Sequence, residues 1–131
     1  MALPQAASRI LIVEDELILA KRVARQLERQ GYGIADICTA GRAALERLEP
    51  CRHQLVLMDI ALPGDWDGIE TAARIRQRAD IPIIYLTVYA DEATLARAEA
   101  TDGTYGYLTK PYKESELHVT VKMALTYHQA Q

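Results

Sequence analysis

The stretch LVLMDIALPGDWDGIE, residues 55–70, contains a predicted strand, a turn and the start of a helix. Its first four residues are apolar without alternation, which is typical of a strand covered on both faces, as in a parallel sheet. The apolar run ends on Asp59, and Pro63, Gly64 and Gly68 then predict a turn. A buried strand therefore delivers a carboxylate into a turn, and the question is which groups the other strands bring to meet it.

The same rhythm recurs along the whole chain. Apolar runs predict strands over 10–13, 34–38, 55–58, 81–86 and 105–108. Helical spacing of apolar residues predicts helices over 16–30, 41–49, 69–78, 91–100 and 113–128. In the first helix the apolar stripe includes Leu17 and Ala20, Gly31 is the predicted stop, and Asp67 and Asp91 fit the N-cap positions of two later helices. The alternation predicts a single doubly wound α/β domain, (βα)5, with a five-stranded parallel sheet.

The composition sets limits on the class of protein. The chain has 131 residues, half of them hydrophobic, which suits one compact domain over residues 9–128 after a flexible leader at 1–8. A net charge of -3 argues against direct nucleic-acid binding, and no apolar run is long enough to span a membrane. Cys38 and Cys51 do not form a C-x-x-C pair, so we interpret them as reduced thiols in a cytoplasmic protein.

Polar side chains follow four of the five predicted strands. Glu14 and Asp15 follow the first strand, Asp59 the third, Thr87 the fourth and Lys110 the fifth. The carboxyl ends of parallel strands share one edge of the sheet, so these groups are expected to meet there. Taken singly, each residue has an ordinary explanation as a cap, a strand former or a solvated charge. Together, packed carboxylates require a cation, and hard oxygen ligands in a partly open site suit Mg²⁺.

Four motifs at these positions resemble the receiver domains of two-component response regulators. The motifs are ILIVEDE, LVLMDIALPGDWDG, IIYLT and YGYLTKPY, and the resemblance extends over about residues 9–127. It implies the flavodoxin-like strand order 2-1-3-4-5, as in chemotaxis regulators. It also implies that Asp59 accepts a phosphoryl group from a histidine kinase or a phosphotransfer protein. Glu14, Asp15, Asp59 and the backbone carbonyl of Ala61 would then hold Mg²⁺.

The resemblance implies roles for the later motifs as well. Thr87 and Lys110 match the groups that bind phosphoryl oxygens, and Tyr107 matches an aromatic residue that changes rotamer together with Thr87. Lys110-Pro111 matches a peptide bond that is usually cis in the family. Such a domain is a switch rather than an enzyme, catalysing only its own phosphoryl transfer and slow autodephosphorylation.

The last predicted helix has apolar residues on two faces. Val119, Met123 and Tyr127 recur at i, i+4 and i+8, opposite the stripe that contains Leu117. A helix that is apolar on two faces often packs against a second surface. The alternatives are a partner or homodimer surface built from the last strand and the last two helices, and scattered exposed apolar residues.

Other functions remain open from the sequence. The main alternative is a Mg²⁺-dependent phosphatase or phosphotransferase of the haloacid dehalogenase type, but Ala61 stands where such enzymes usually carry a second aspartate. A nucleotide-binding module would need a glycine-rich phosphate loop, and the sequence has none. A receiver that is never phosphorylated is disfavoured by the full set of acids with Thr87 and Lys110. We expect no output domain after the fifth helix, and the chain is either a stand-alone receiver or part of a longer protein.

Overall fold

A computed structural model describes residues 9–49, 52–88, 91–100 and 104–129 of the chain. The strands are β1 (Arg9–Val13), β2 (Gly33–Cys38), β3 (Leu55–Asp59), β4 (Ile83–Thr87) and β5 (Thr104–Thr109). The helices are α1 (Leu17–Arg29), α2 (Gly41–Arg47), α3 (Gly68–Arg76), α4 (Glu92–Glu99) and α5 (Glu114–Gln129). The predicted alternation of strand and helix is confirmed. The proposed leader, residues 1–8, and Cys51 lie outside the described residues.

The five strands form one parallel sheet in the order β2-β1-β3-β4-β5, as predicted. Helices α1 and α5 pack their apolar residues on one face of the sheet, and α2, α3 and α4 pack on the other. The central strand β3 is therefore covered on both sides, and all five of its residues are buried. This explains why its sequence is apolar without alternation. None of the described helices is long and apolar enough to cross a bilayer.

Two predicted positions were wrong, each for a local reason. Strand β4 begins at Ile83 rather than at Ile81, because Pro82 has no backbone N–H and contributes only its carbonyl oxygen, which accepts from Val56 N at 3.0 Å. Leu17 was predicted on the buried stripe of α1, but it is 47% exposed. It is the first helical residue, so it lies in the turn at the edge of the sheet, whereas Ala20 and the later stripe residues cover the strands.

The predicted helix signals agree with the structure. Asp67 is the N-cap of α3 and accepts a hydrogen bond from Glu70 N at 2.8 Å. Asp91 caps α4 in the same way, accepting from Thr94 N at 2.7 Å. Gly31 adopts a φ of 99° just after α1, a conformation that favours glycine and ends the helix.

Candidate functional site

The register of the sheet brings the predicted site residues to one edge. Val13 pairs with Met58, and Met58 pairs with Tyr85. The residues that follow Val13 and Met58, which are Glu14 and Asp59, therefore lie side by side at the carboxyl ends of adjacent strands. Asp59 is the last residue of β3 and Thr87 the last of β4. The backbone of Lys110 is fixed beside them, because Lys110 N donates to the carbonyl oxygen of Thr87 at 2.7 Å.

The side chains of three of these residues form a compact charged group. The Lys110 ammonium donates a hydrogen bond to Glu14 Oε1 at 2.7 Å and lies 3.6 Å from Asp59 Oδ2. Glu14 is 2% exposed and Asp59 is 6% exposed, so these charges interact with little screening by water. Glu14, which follows β1, and Asp59, the last residue of β3, are thus joined by the ammonium of Lys110, about fifty residues after Asp59 in the chain.

A divalent cation fits the acidic part of this group. One carboxylate oxygen from each of Glu14, Asp15 and Asp59 can be chosen so that all three lie within 4.8 Å of one another. Asp15 is exposed and the other two carboxylates are buried, which leaves one side open for water ligands, as Mg²⁺ prefers. Ala61 is adjacent, and its N–H donates to Asp59 Oδ1 at 3.2 Å. Glu14 is oriented by a similar bond, from Glu16 N to Oε2 at 3.2 Å.

The electrostatics of the site single out Asp59. Burial raises the pKa of Asp59 to about 7, with a further rise from the neighbouring Glu14 carboxylate that Lys110 only partly offsets. Burial also opposes ionisation of Glu14, but hydrogen bonds from Lys110, Asp59 and the Glu16 amide outweigh it and hold the pKa of Glu14 below its usual value. Burial disfavours the Lys110 ammonium, yet its acidic neighbours raise the pKa of Lys110. Near neutral pH the group therefore holds more negative charge than one lysine can compensate.

Thr87 and Tyr107 lie on neighbouring strands. Thr87 pairs with Thr109 and Tyr85 with Tyr107, so Thr87 and Tyr107 occupy diagonal positions on one face of the sheet. The Tyr107 ring stacks on Tyr85 with ring centroids 6.2 Å apart. Its hydroxyl is shielded from solvent and has no hydrogen-bond partner within the described part of the chain. The Lys110-Pro111 peptide is cis, as the family resemblance implied.

Gly68 was predicted only as a turn residue, but in the structure it packs directly on the backbone of the site. Gly68 N donates to the carbonyl oxygen of Ile60 at 2.8 Å. A Cβ atom on Gly68 would overlap the carbonyl oxygen of Asp59 and press on the Cα of Ile60. The glycine therefore allows α3 to begin against the strand that carries Asp59. The Asp-Gly pair at 67–68 was visible in the sequence, but its distance to Asp59 was not.

The edge of the site is partly apolar. Ile18 is 83% exposed and lies three residues after Asp15 in the sequence. Val88 is 67% exposed and directly follows Thr87. A cavity of about 300 Å³ opens between α1 and the segment after β5, and Glu14, Val88, Lys110 and Tyr112 are among its lining residues. Val88 is thus an exposed apolar side chain in the lining of the same cavity as Glu14 and Lys110.

The family model for the response regulator receiver domain matches residues 10–122. The chain belongs to the response regulator receiver family. The match contains every residue of the charged group, and receiver domains of this family are signalling domains rather than metabolic enzymes. The haloacid dehalogenase alternative is accordingly not favoured.

Curated relatives and solved structures agree with this assignment. The receiver is 33% identical over 118 residues to the transcriptional regulatory protein PdtaR of Mycobacterium tuberculosis, covering 90% of this chain and 57% of that protein. It is 36% identical over 124 residues to the transcriptional regulatory protein BasR of Escherichia coli, covering 94% of this chain and 54% of that protein. The chain thus spans about half the length of the curated relatives it matches.

Among solved structures, the receiver is similar to the signal receiver domain of a modulated diguanylate cyclase from Desulfovibrio desulfuricans G20. The TM-score is 0.86 with 35% identity, covering 93% of this chain and 96% of that one. A CheY-like receiver domain protein from Methanospirillum hungatei JF-1 gives a TM-score of 0.82 with 28% identity, covering 95% and 98%. The doubly wound fold predicted from the sequence is therefore the fold of known receivers.

The predicted partner surface of the receiver lies on α5. Val119, Met123 and Tyr127 are 53%, 44% and 54% exposed, whereas Leu117 and Val121 on the opposite face are buried in the core. The three exposed residues form the stripe expected from their spacing of four. The role of this stripe as a partner surface stays a prediction.

Proposed function

We propose that the receiver is a phosphorylation-dependent switch that accepts a phosphoryl group on Asp59 in the cytoplasm, with Mg²⁺ as cofactor. The donor is a histidine kinase or a phosphotransfer protein. The observation that carries the proposal is the buried Asp59 carboxylate, which lies 3.6 Å from the Lys110 ammonium and within reach of the Glu14 and Asp15 carboxylates. Family membership supports the same role.

In the proposed reaction the Asp59 carboxylate is the nucleophile. The P–N bond of a phosphorylated imidazole breaks, a P–O bond forms to Asp59, and the leaving imidazole takes up a proton. The Ala61 N–H, which donates to Asp59 Oδ1 at 3.2 Å, holds the carboxylate in a fixed orientation. Lys110 and the hydroxyl of Thr87 would bind phosphoryl oxygens. Mg²⁺ held by Glu14, Asp15, Asp59 and the Ala61 carbonyl would supply positive charge against the charge that accumulates during transfer.

We further propose that Thr87 and Tyr107 relay the phosphorylated state. A hydroxyl group drawn toward a phosphoryl oxygen leaves space behind it, and Tyr107 is next to Thr87 on the same face. The shielded Tyr107 hydroxyl lacks a hydrogen bond within the described residues. An alternative rotamer in which this hydroxyl forms a hydrogen bond would therefore not have to break an existing one. Phosphorylation would shift an equilibrium between two such arrangements.

The direct test is labelling with a small phosphodonor. Incubation with acetyl phosphate and Mg²⁺, followed by intact mass spectrometry, is expected to add one phosphoryl group to the wild type and none to Asp59→Ala. Chelation of the metal is expected to prevent labelling, and slow loss of the label afterwards would report autodephosphorylation. An Asp65→Ala variant is a matched control. Asp65 lies in the loop that follows the acceptor, and its exposed carboxylate pairs with Arg42. Labelling of Asp59→Ala would contradict the proposal, and rapid turnover of small phosphoesters would favour the phosphatase alternative.

The apolar edge of the site supports a protein donor. Val88 is exposed and lines the same cavity as Glu14 and Lys110, and removing an apolar side chain from water at a contact favours a complex. The adjoining cavity offers room for a side chain of the donor. We expect no direct contact with nucleic acid or membrane, since the chain carries a net charge of -3.

The α5 stripe is proposed as a surface for a partner or for a homodimer formed through β5, α4 and α5. Gel filtration before and after acetyl phosphate treatment is expected to show a larger species only after phosphorylation. Met123→Glu, which places a charge in the centre of the stripe, is expected to abolish that species. Lys122→Glu alters a neighbouring exposed position on α5 and is the matched control. An identical elution volume in both states would leave scattered exposed residues as the explanation.

A further inference from the structure

A salt bridge connects helix α4 to the loop that follows the phosphoryl acceptor. Arg97 of α4 donates from Nη1 to Asp67 Oδ2 at 3.0 Å and from Nη2 to Asp67 Oδ1 at 3.3 Å. Two parallel bonds from one guanidinium fix both the distance and the orientation of the carboxylate. Asp67 Oδ1 also accepts from Glu70 N, so the same carboxylate caps α3. Arg97 therefore acts on the residue that determines where α3 begins.

Asp67 is tied in turn to the backbone of the acceptor. Its neighbour Gly68 donates to the carbonyl oxygen of Ile60 and packs so closely on Asp59 that no side chain fits between them. A shift of Asp67 must therefore move the backbone at residues 59–60 or break the bond from Gly68. The chain between these two anchors includes Ala61, whose N–H orients Asp59.

Helix α4 buries little of its own apolar surface. Ala98 is the one residue of α4 that the structure buries. The helix has eight residues, and its other side chains are at least partly exposed. A helix that buries so little apolar surface belongs to the less stable regions of a fold, which change conformation at a low cost in free energy. The bidentate pair with Asp67 therefore contributes a specific contact that orients α4 relative to the acceptor loop.

We propose that Arg97 is a positioning residue that couples the placement of α4 to the state of the phosphorylation site. Through Asp67 and Gly68 it holds the loop of residues 60–67 in the conformation that serves Asp59. The inference rests on the proposed function for its link to phosphorylation. Coupling of this kind is reciprocal, so occupation of the site changes α4 and the loss of the α4 contact weakens the site.

The first measurement is the affinity for Mg²⁺ by isothermal titration calorimetry. Arg97→Gln is expected to weaken Mg²⁺ binding roughly two- to fivefold, the range typical of an exposed ion pair. Arg97→Lys, which retains the charge without the parallel bonds, is expected to lie between that variant and the wild type. The matched control is Arg29→Gln, which removes the exposed Arg29–Glu114 pair between α1 and α5 and should leave the affinity unchanged.

The second measurement is hydrogen exchange of α4 with and without acetyl phosphate, followed by mass spectrometry. In the wild type, phosphorylation is expected to change exchange within residues 92–99, and in Arg97→Gln that response is expected to disappear while Asp59 is still labelled. A merely structural role would raise exchange in both states and preserve the response. Unchanged Mg²⁺ affinity together with an unchanged α4 response in Arg97→Gln would overturn the proposal. If the wild type is not labelled, the proposed function fails, and the calorimetry still decides the role of Arg97.

Discussion

Replacing Asp59 with asparagine is expected to stabilise the protein at about pH 8 when a chelator removes divalent ions. The folded state raises the pKa of this carboxyl to about 7, from 3.8 for an ordinary aspartate. A group with a raised pKa contributes stability below its unfolded pKa, and that contribution is lost as the pH rises through the folded value. At about pH 8 the wild type therefore bears the full cost of the buried charge, and the asparagine variant does not.

The size of the effect follows from the shift. A full shift of this size corresponds to ~4 kcal/mol, and screening by water on the open side of the site reduces our expectation to roughly 1–3 kcal/mol. Urea unfolding of both proteins should show the difference at about pH 8 and little of it at about pH 4. Asp65→Asn, which removes an exposed carboxylate paired with Arg42, should change the free energy of unfolding by less than about 1 kcal/mol.

Magnesium is expected to reduce the stability difference between the two proteins. A ligand that binds only the folded state stabilises it, by about 2.7 kcal/mol at a hundred times its dissociation constant. The wild type retains all three carboxylates of the cluster, whereas Asp59→Asn loses one of them. The wild type should therefore gain more stability from added Mg²⁺ than the variant does. Equal stability of the two proteins at every pH, with or without the metal, would contradict the raised pKa.

Gly68→Ala is expected to be the most damaging single substitution near the site. The added Cβ would overlap the carbonyl oxygen of Asp59 and approach the Cα of Ile60, and neither is the end of a flexible side chain. Relief requires the start of α3 to move away from β3, which breaks the hydrogen bond from Gly68 N to Ile60. We expect a loss of about 3 kcal/mol or more in the free energy of unfolding and a labelling rate reduced at least roughly tenfold.

Gly64→Ala is the matched control for this substitution. Gly64 lies in the same loop with a φ of 92°, and no atom lies within 4 Å of a Cβ built there. Only the left-handed backbone conformation is penalised, at about 1–2 kcal/mol. Labelling with acetyl phosphate should therefore keep its rate in Gly64→Ala and slow at least roughly tenfold in Gly68→Ala. If Gly68→Ala is as stable and as readily phosphorylated as Gly64→Ala, the contact with Asp59 does not constrain the site.

The sequence predicted the sheet well because its signals are local. Each strand is a short apolar run, each helix has its own stripe, and the caps at Asp67 and Asp91 precede their helices directly. Residues that end parallel strands must share an edge, so the meeting of Glu14, Asp59 and Lys110 was also accessible from topology. In the structure, the register of the sheet then aligns the ends of these strands along the sheet edge.

Other features depended on distances that no local pattern contains. The overlap of Gly68 with Asp59, the bond from Arg97 to Asp67 and the raised pKa of Asp59 each require knowing which atoms approach and how deeply they are buried. The exposure of Leu17 was not predictable from the sequence either. The apolar stripe of a helix shows which side faces the core, but not how far along the helix the sheet covers that side. The position of the candidate site residues at one edge of the sheet was therefore predictable from the sequence, but the contacts that hold them there were not.

The loop after Asp59 also contains the single tryptophan of the chain. The Cζ atoms of Arg42 and Arg74 lie 4.3 and 4.2 Å from the centroid of the Trp66 ring, and Arg42 bonds the adjacent Asp65. Indole fluorescence is sensitive to nearby charges, so a small displacement of either guanidinium changes the fluorescence of Trp66. The protein therefore has a built-in optical probe of this loop, and its conformational response can be followed in real time without attaching a dye.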